Sequence, residues 1–252
     1  MQAKPGQPRQ DLERFFTTLL EKFGPQGWWP AETRWEVICG AILTQNTNWR
    51  NVLLALHNLR QAGLLDGSPL AHAALAEIQT LVRPAGFYRQ KARTLRDIAV
   101  WIEAAHAGSL DRLFALGPER ARAGLLSLRG IGPETADAIL LYAGGLPVFV
   151  ADAYTRRILS RHGLIAGDAD YDSARQFLHQ HLPPDGAVYN EFHALLVEAA
   201  KQFCRRNEIR CEECPLARFL TMPKADSRQL RAKKGSRPSV ISSATEVVGS
   251  RN

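Results

Sequence analysis

Alternation of polar and apolar residues, the signature of a half-buried strand, is nearly absent from these 252 residues. Only Pro147-Val148-Phe149-Val150 reads as extended, and as a short link. That argues against a sheet protein. No apolar run is long enough to cross a bilayer, so no membrane span is expected. Met1-Gln2-Ala3-Lys4-Pro5 opens without the apolar core of a secretory signal, and the expected location is the cytoplasm. No segment recurs at a fixed period, which argues against a solenoid. Cysteine is scarce: there are four, with Cys204, Cys211 and Cys214 clustered and Cys39 apart in an apolar stretch. In a reducing compartment a cluster favours a metal over a disulfide framework.

What is present is apolar spacing at helical period and positive charge. Hydrophobic residues make up 45% of the chain, enough for a substantial core, and the formal net charge is +7. Lys224, Arg228, Arg231, Lys233, Lys234 and Arg237 crowd a polar, Ser-rich stretch, so 224–252 is expected to be a basic disordered tail. A basic balance suits a nucleic-acid partner, although it also serves solubility.

The fold class is all-α. Asp11 is placed to cap a first helix with Leu12, Phe15, Phe16, Leu19 and Leu20 on one face. Residues 35–43 read as a central helix in which Cys39 is a small buried hydrophobe. Helices follow over 50–61, 71–82 and 87–107, with a turn at 63–69, and shorter ones over 110–116 and 119–126. Beyond the extended link come helices over 153–161, 171–181 (which Asp172 can cap) and 189–203.

The stretch that organises the rest is Leu128-Arg129-Gly130-Ile131-Gly132-Pro133-Glu134-Thr135-Ala136-Asp137. It reads as a helix, a glycine turn and a new helix opened by Pro133. Gly130 and Gly132 allow positive φ and bare amides, and Ile131 between them can plug the turn onto the core. Amides at a helix N-terminus make an anion site, and in a basic chain a DNA phosphate is the natural anion. Arg129, Gly130, Ile131 and Gly132 are therefore the candidate DNA-binding residues.

This hairpin, followed by Val150-Ala151-Asp152 and preceded by Arg83-Pro84-Ala85-Gly86-Phe87-Tyr88-x-x-Lys91-Ala92, resembles the helix-hairpin-helix DNA glycosylases of the endonuclease III superfamily. The likeness runs from about Phe15 to Pro223. It implies two helical domains with a cleft between them: a six-helix barrel with the hairpin over 35–148, and a second domain built from 11–34 plus 149–223. It implies damaged double-stranded DNA as partner, a monomer, and Asp152 as the catalytic carboxylate that stabilises a cationic sugar or activates water. The bland alternative for Asp152 is a helix N-cap. In Thr44-Gln45-Asn46-Thr47-Asn48-Trp49, Gln45 matches the family side chain that fills the gap left by an extruded base. Helix capping by Thr47 or Asn48 is compatible with that role.

Bifunctional members carry a lysine in the second hairpin helix that forms a Schiff base with the sugar. The matching residue here is Glu134, which implies a monofunctional glycosylase and puts lyase action in doubt. Trp28-Trp29-Pro30 reads either as core packing or as the wall of a base pocket, with Trp49 as a further aromatic face. Carboxylates and aromatic rings together favour a cationic base. The set also looks like the 3-methyladenine glycosylase branch, which implies excision of alkylated purines. The alternatives are an endonuclease III-like enzyme for oxidised pyrimidines with weak or no lyase activity, and a catalytically silent lesion-binding protein. Cys204-x6-Cys211-x2-Cys214 matches three ligands of the family's iron–sulfur loop, but Leu220 stands where the fourth is expected. The expectation is a [4Fe–4S] cluster with three cysteines and an unidentified fourth ligand; the alternatives are zinc or no metal.

Overall fold

The computed structural model describes residues 7–220, and it is built of helices. Among the described residues there is no strand, only an isolated bridge between Cys204 and Ile209. The basic stretch expected to be disordered, 224–252, lies outside them. No described helix is long and apolar enough to cross a membrane.

Helix α1 (Gln7–Phe23) buries Leu12, Phe15 and Leu19. It begins four residues before the expected cap, since Pro8 fits a first helical turn and Asp11 instead accepts from Gln7 Nε2. Helix α2 (Arg34–Leu43) starts at Thr33, whose hydroxyl accepts the Glu36 amide. It is the central helix: only Arg34 among its residues escapes burial. Burying each of Ile38, Ile42 and Leu43 contributes about 2 kcal/mol. Asn48 caps α3 (Trp49–Gln61). The expected single helix over 71–82 is two, α4 (Gly67–His72) and α5 (Leu75–Leu81). Asp66 caps α4 and draws Gly67 into it, and a Cβ at Gly67 would lie 2.4 Å from the Trp35 ring. The long α6 (Tyr88–His106), α7 (Leu110–Phe114) and α8 (Pro118–Leu126) lead into the hairpin.

Past the hairpin, α9 (Pro133–Ala138) passes directly into a π-helical turn over Ile139–Ala143. Buried Asp137 ties α9 to its neighbours: Arg122 Nε donates to it at 2.6 Å and the Tyr171 hydroxyl at 2.9 Å. Then come α10 (Ala153–Arg161), α11 (Tyr171–His181) and α12 (Gly186–Phe203). Asp170, not Asp172, caps α11, and Asp172 is held instead by Arg122.

The described residues, 7–220, form one unit. Within it α2 to α9 pack among themselves, while α12 takes α1 and α10 against its sides. The two groups of helices meet where α12 faces the π-turn and α11 faces α9. The first of these seams carries the candidate site.

Candidate active site and nucleic-acid face

Asp152 sits at the start of α10, 9% exposed. Its Oδ1 accepts the Thr155 amide at 2.8 Å, so it is indeed an N-cap. The cap uses one oxygen. The other, Oδ2, stands 3.6 Å from His193 Nε2. Burial pushes the Asp152 carboxyl up, but His193 beside it and the Thr155 amide outweigh that and hold it below the usual carboxylate range. It is an ionised carboxylate at neutral pH.

Glu134 lies in the first turn of α9 and is exposed. The protein surrounding its carboxyl, and then the Asp152 charge, raise its pKa; His193 and Arg156 work the other way. No amine stands at this position. Two carboxyl groups with opposite shifts thus stand close enough for one to feel the charge of the other.

The tryptophans form one aromatic cluster. Ring centroids lie 5.3 Å apart for Trp28–Trp29, 5.7 Å for Trp28–Trp49 and 5.2 Å for Trp29–Trp49. Trp29 continues to Tyr142 at 5.3 Å, and the Tyr142 hydroxyl is hydrogen-bonded to His193 Nδ1. The core-packing reading of the tryptophan pair is the one these contacts bear out. Trp29 packs against α2, where a Cβ on Gly40 would come within 3.0 Å of its ring, and the cluster also runs unbroken to the carboxylate. Lys201 lies over the Trp28 ring.

Tyr142 and His193 had no signal in the sequence. His193 reads as one residue of an apolar helix and Tyr142 as one of a helical run. The π-turn sets Tyr142 against α12, and such turns recur at functional sites.

In the hairpin, Gly130 has φ +90°, and a Cβ there would fall 2.2 Å from Thr94 Oγ1. Only glycine fits. Gly132 is different from the expectation: its φ of −93° is open to any residue, and it serves as the N-cap position of α9. Ile131 is buried as the plug, and Arg129 is exposed. Gln45 Nε2 donates to Gly130 O at 3.1 Å and Thr135 Oγ1 at 3.0 Å, which places it against the hairpin.

A groove beside it is lined by Gln45, Asn46, Phe87, Arg93, Arg129 and Gly130. Phe87 is 64% exposed and left-handed (φ 46°), a costly place for an aromatic ring. Buried Lys91 holds the two loops in register: its ammonium donates to Leu43 O at 2.9 Å and Ala85 O at 2.8 Å, each two residues before Gln45 or Phe87.

Cys204, Cys211 and Cys214 line one recess at the end of α12, with Arg161, His162 and Leu220. Arg161 Nη1 donates to Cys204 Sγ at 2.9 Å. Both ring nitrogens of His162 face backbone carbonyls, and Leu220 has no donor atom. Among the described residues no three His, Cys, Asp or Glu groups stand as a metal would require. Among the described residues the three cysteines share this recess with no fourth donor beside them, so the described set does not by itself fit a four-ligand cluster or zinc ion. The recess lies at the far end of α12 from His193, roughly 16 Å along the helix at 1.5 Å per residue.

An all-helical fold, a hairpin with one obligatory glycine, and an ionised carboxylate linked by contacts to an aromatic cluster fit a protein that acts on DNA. Comparison with known proteins gives the family. Residues 39–184 match the HhH-GPD superfamily base excision DNA repair protein family. A Methanocaldococcus jannaschii protein described as a DNA repair glycosylase is 43% identical over 210 residues, covering 82% of this chain and 94% of that one. The H. pylori 3-methyladenine DNA glycosylase bound to 1,N6-ethenoadenine superposes with a TM-score of 0.66 at 30% identity, over 77% of this chain and 97% of that one. A trapped endonuclease III–DNA covalent intermediate shares the fold, with a TM-score of 0.73 at 19% identity over 88% and 98% of the two chains. The chain belongs to the HhH-GPD superfamily and is a DNA glycosylase of base excision repair.

Proposed function

We propose that this protein is a monofunctional glycosylase that excises alkylated, cationic purines from double-stranded DNA. One observation carries the reading: the contact chain Trp28–Trp29–Tyr142–His193–Asp152 joins an aromatic cluster to an ionised carboxylate, with the Glu134 carboxyl within reach of its charge. Aromatic faces attract a cation more strongly once water is excluded. Two carboxyl groups add Coulombic attraction.

Asp152 is the catalytic residue. Its charge stabilises the positive sugar as the glycosidic bond breaks, and it orients the attacking water. Glu134 offers no amine for a Schiff base, so the product is an intact abasic strand. Arg129 and the hairpin amides hold phosphates. Gln45 and the exposed Phe87 flank the groove and fill the stack where a base has left it. No step passes through the cysteine loop.

The test incubates the protein with a methylated duplex and with one carrying an oxidised pyrimidine, each analysed with and without alkali. Release of methylated purine, and breaks only after alkali, support the reading. Breaks at the oxidised pyrimidine without alkali would replace it with an endonuclease III-like lyase. Tight lesion binding with no base released would make it a silent binder.

A further inference from the structure

A carboxylate used near a developing cation must be both charged and aimed. Asp152 is buried, and the backbone fixes only its Oδ1, through Thr155. The remaining oxygen faces His193 Nε2 at 3.6 Å. That nitrogen is buried and has no hydrogen-bond partner of its own. An unpartnered buried polar atom is costly and calls for a reason.

We propose that His193, held by Tyr142, is the positioning residue that aims the second oxygen of Asp152 at the sugar. The proposal rests on the glycosylase reading above. Three elements supply the chain: the π-turn gives Tyr142, α12 gives His193 and the α10 cap gives Asp152. Burial, and then the Asp152 charge, keep the Tyr142 phenol protonated, and its O–H is assigned as the donor to Nδ1. An imidazole that accepts at Nδ1 carries its proton on Nε2. That proton points at Asp152 Oδ2. The gap of 3.6 Å exceeds a hydrogen bond, and contacts of this kind tighten when substrate fills the site. His193 is 7% exposed and makes ring contacts with Phe149 and Tyr142, so it has little freedom to turn away.

The experiment has two arms. The first needs no substrate: ring nitrogen chemical shifts of His193 are read by NMR in the full chain and in Tyr142→Phe and Asp152→Asn. The expected result is an Nε2–H tautomer in the wild type. Tyr142→Phe, which removes one atom, should raise the Nδ1–H population, and Asp152→Asn should move the Nε2 resonance. A wild-type Nδ1–H tautomer, or no response to either variant, overturns the proposal.

The second arm measures single-turnover excision and duplex Kd. His193→Phe should lose on the order of 100-fold in rate, the cost of a misplaced catalytic group, with Kd within about twofold. His193→Gln keeps an N–H and should recover much of the rate. Equal loss in both variants, or a loss in Kd alone, refutes positioning. If the wild type releases no base the glycosylase reading fails, while the NMR arm still decides the chain.

Discussion

Asp152→Asn isolates the charge from everything else the residue does. Asparagine is as good an N-cap as aspartate, so the Thr155 amide keeps its 2.8 Å acceptor and α10 keeps its start. The shape stays; one negative charge goes. A carboxylate about 4 Å from a cationic sugar, at the effective dielectric of about 20 that suits protein sites, contributes about 4 kcal/mol. At about 1.4 kcal/mol per decade, single-turnover excision should fall about 1000-fold. The fold should lose little at neutral pH. The folded carboxyl lies below its ordinary range, so its contribution is present above the unfolded value of 3.8 and fades only as pH drops through the folded one. At pH 7 the Asn variant loses that contribution and also the cost of burying a charge, and with the cap kept the two largely offset, so melting should shift only slightly. Asp152→Ala serves as contrast: it removes the cap as well and should cost about 1 kcal/mol more stability. The assay is base release from a methylated duplex with enzyme in excess, beside a melting curve. Excision within about tenfold of wild type, from a folded Asn variant, would refute the catalytic role.

Borohydride should trap no covalent adduct between the wild-type protein and DNA, whereas Glu134→Lys, which places an amine beside Asp152, should yield one; trapping with the wild type would show that another amine acts. Lys91→Met keeps the length but strips two charge-assisted hydrogen bonds from the carbonyls of Leu43 and Ala85. It should cost about 3 kcal/mol, or roughly 10 °C in melting temperature, and a loss under about 1 kcal/mol would show that the ammonium does not hold the loops. His179 accepts the Phe149 amide at Nε2, and burial, then Arg175 and Arg122, hold it down at about 4 against 6.5. The unfolded chain then binds a proton that the folded one does not, so stability should be full above about pH 6.5 and fall toward pH 4. Solvent at the half-buried ring limits the loss to about 1–2 kcal/mol, and a His179→Gln curve as steep as wild type would refute the assignment.

The sequence made one class of feature readable, those defined by neighbours in the chain. Gly130 could be read because a turn that tight, followed by Pro133, has few solutions. Asp152 could be read as an N-cap because a carboxylate before a helix is a common cap, whereas its catalytic role rested on the resemblance. Glu134 could be read because a resemblance supplies the lysine it replaces. Caps were less certain: Asp170 and Asp172 both suit the start of α11, and Arg122, fifty residues away, settles the choice by taking Asp172. The same limit explains Gly67, whose place in α4 depends on the Trp35 ring across the fold.

What could not be read is the link between the pocket and the carboxylate. Tyr142 and His193 are 51 positions apart, and neither stands out among its neighbours. Their meeting depends on the π-turn, which sets where Tyr142 falls, and on α12 crossing it. No pattern of spacing encodes such a contact, because the two residues need only fit each other. If the chain Tyr142–His193–Asp152 aims the catalytic oxygen, the chemistry of this glycosylase rests on a tertiary accident of packing as much as on its motif. A chain that kept Gly130, Glu134 and Asp152 but lost His193 would retain the motif and lose most of the rate.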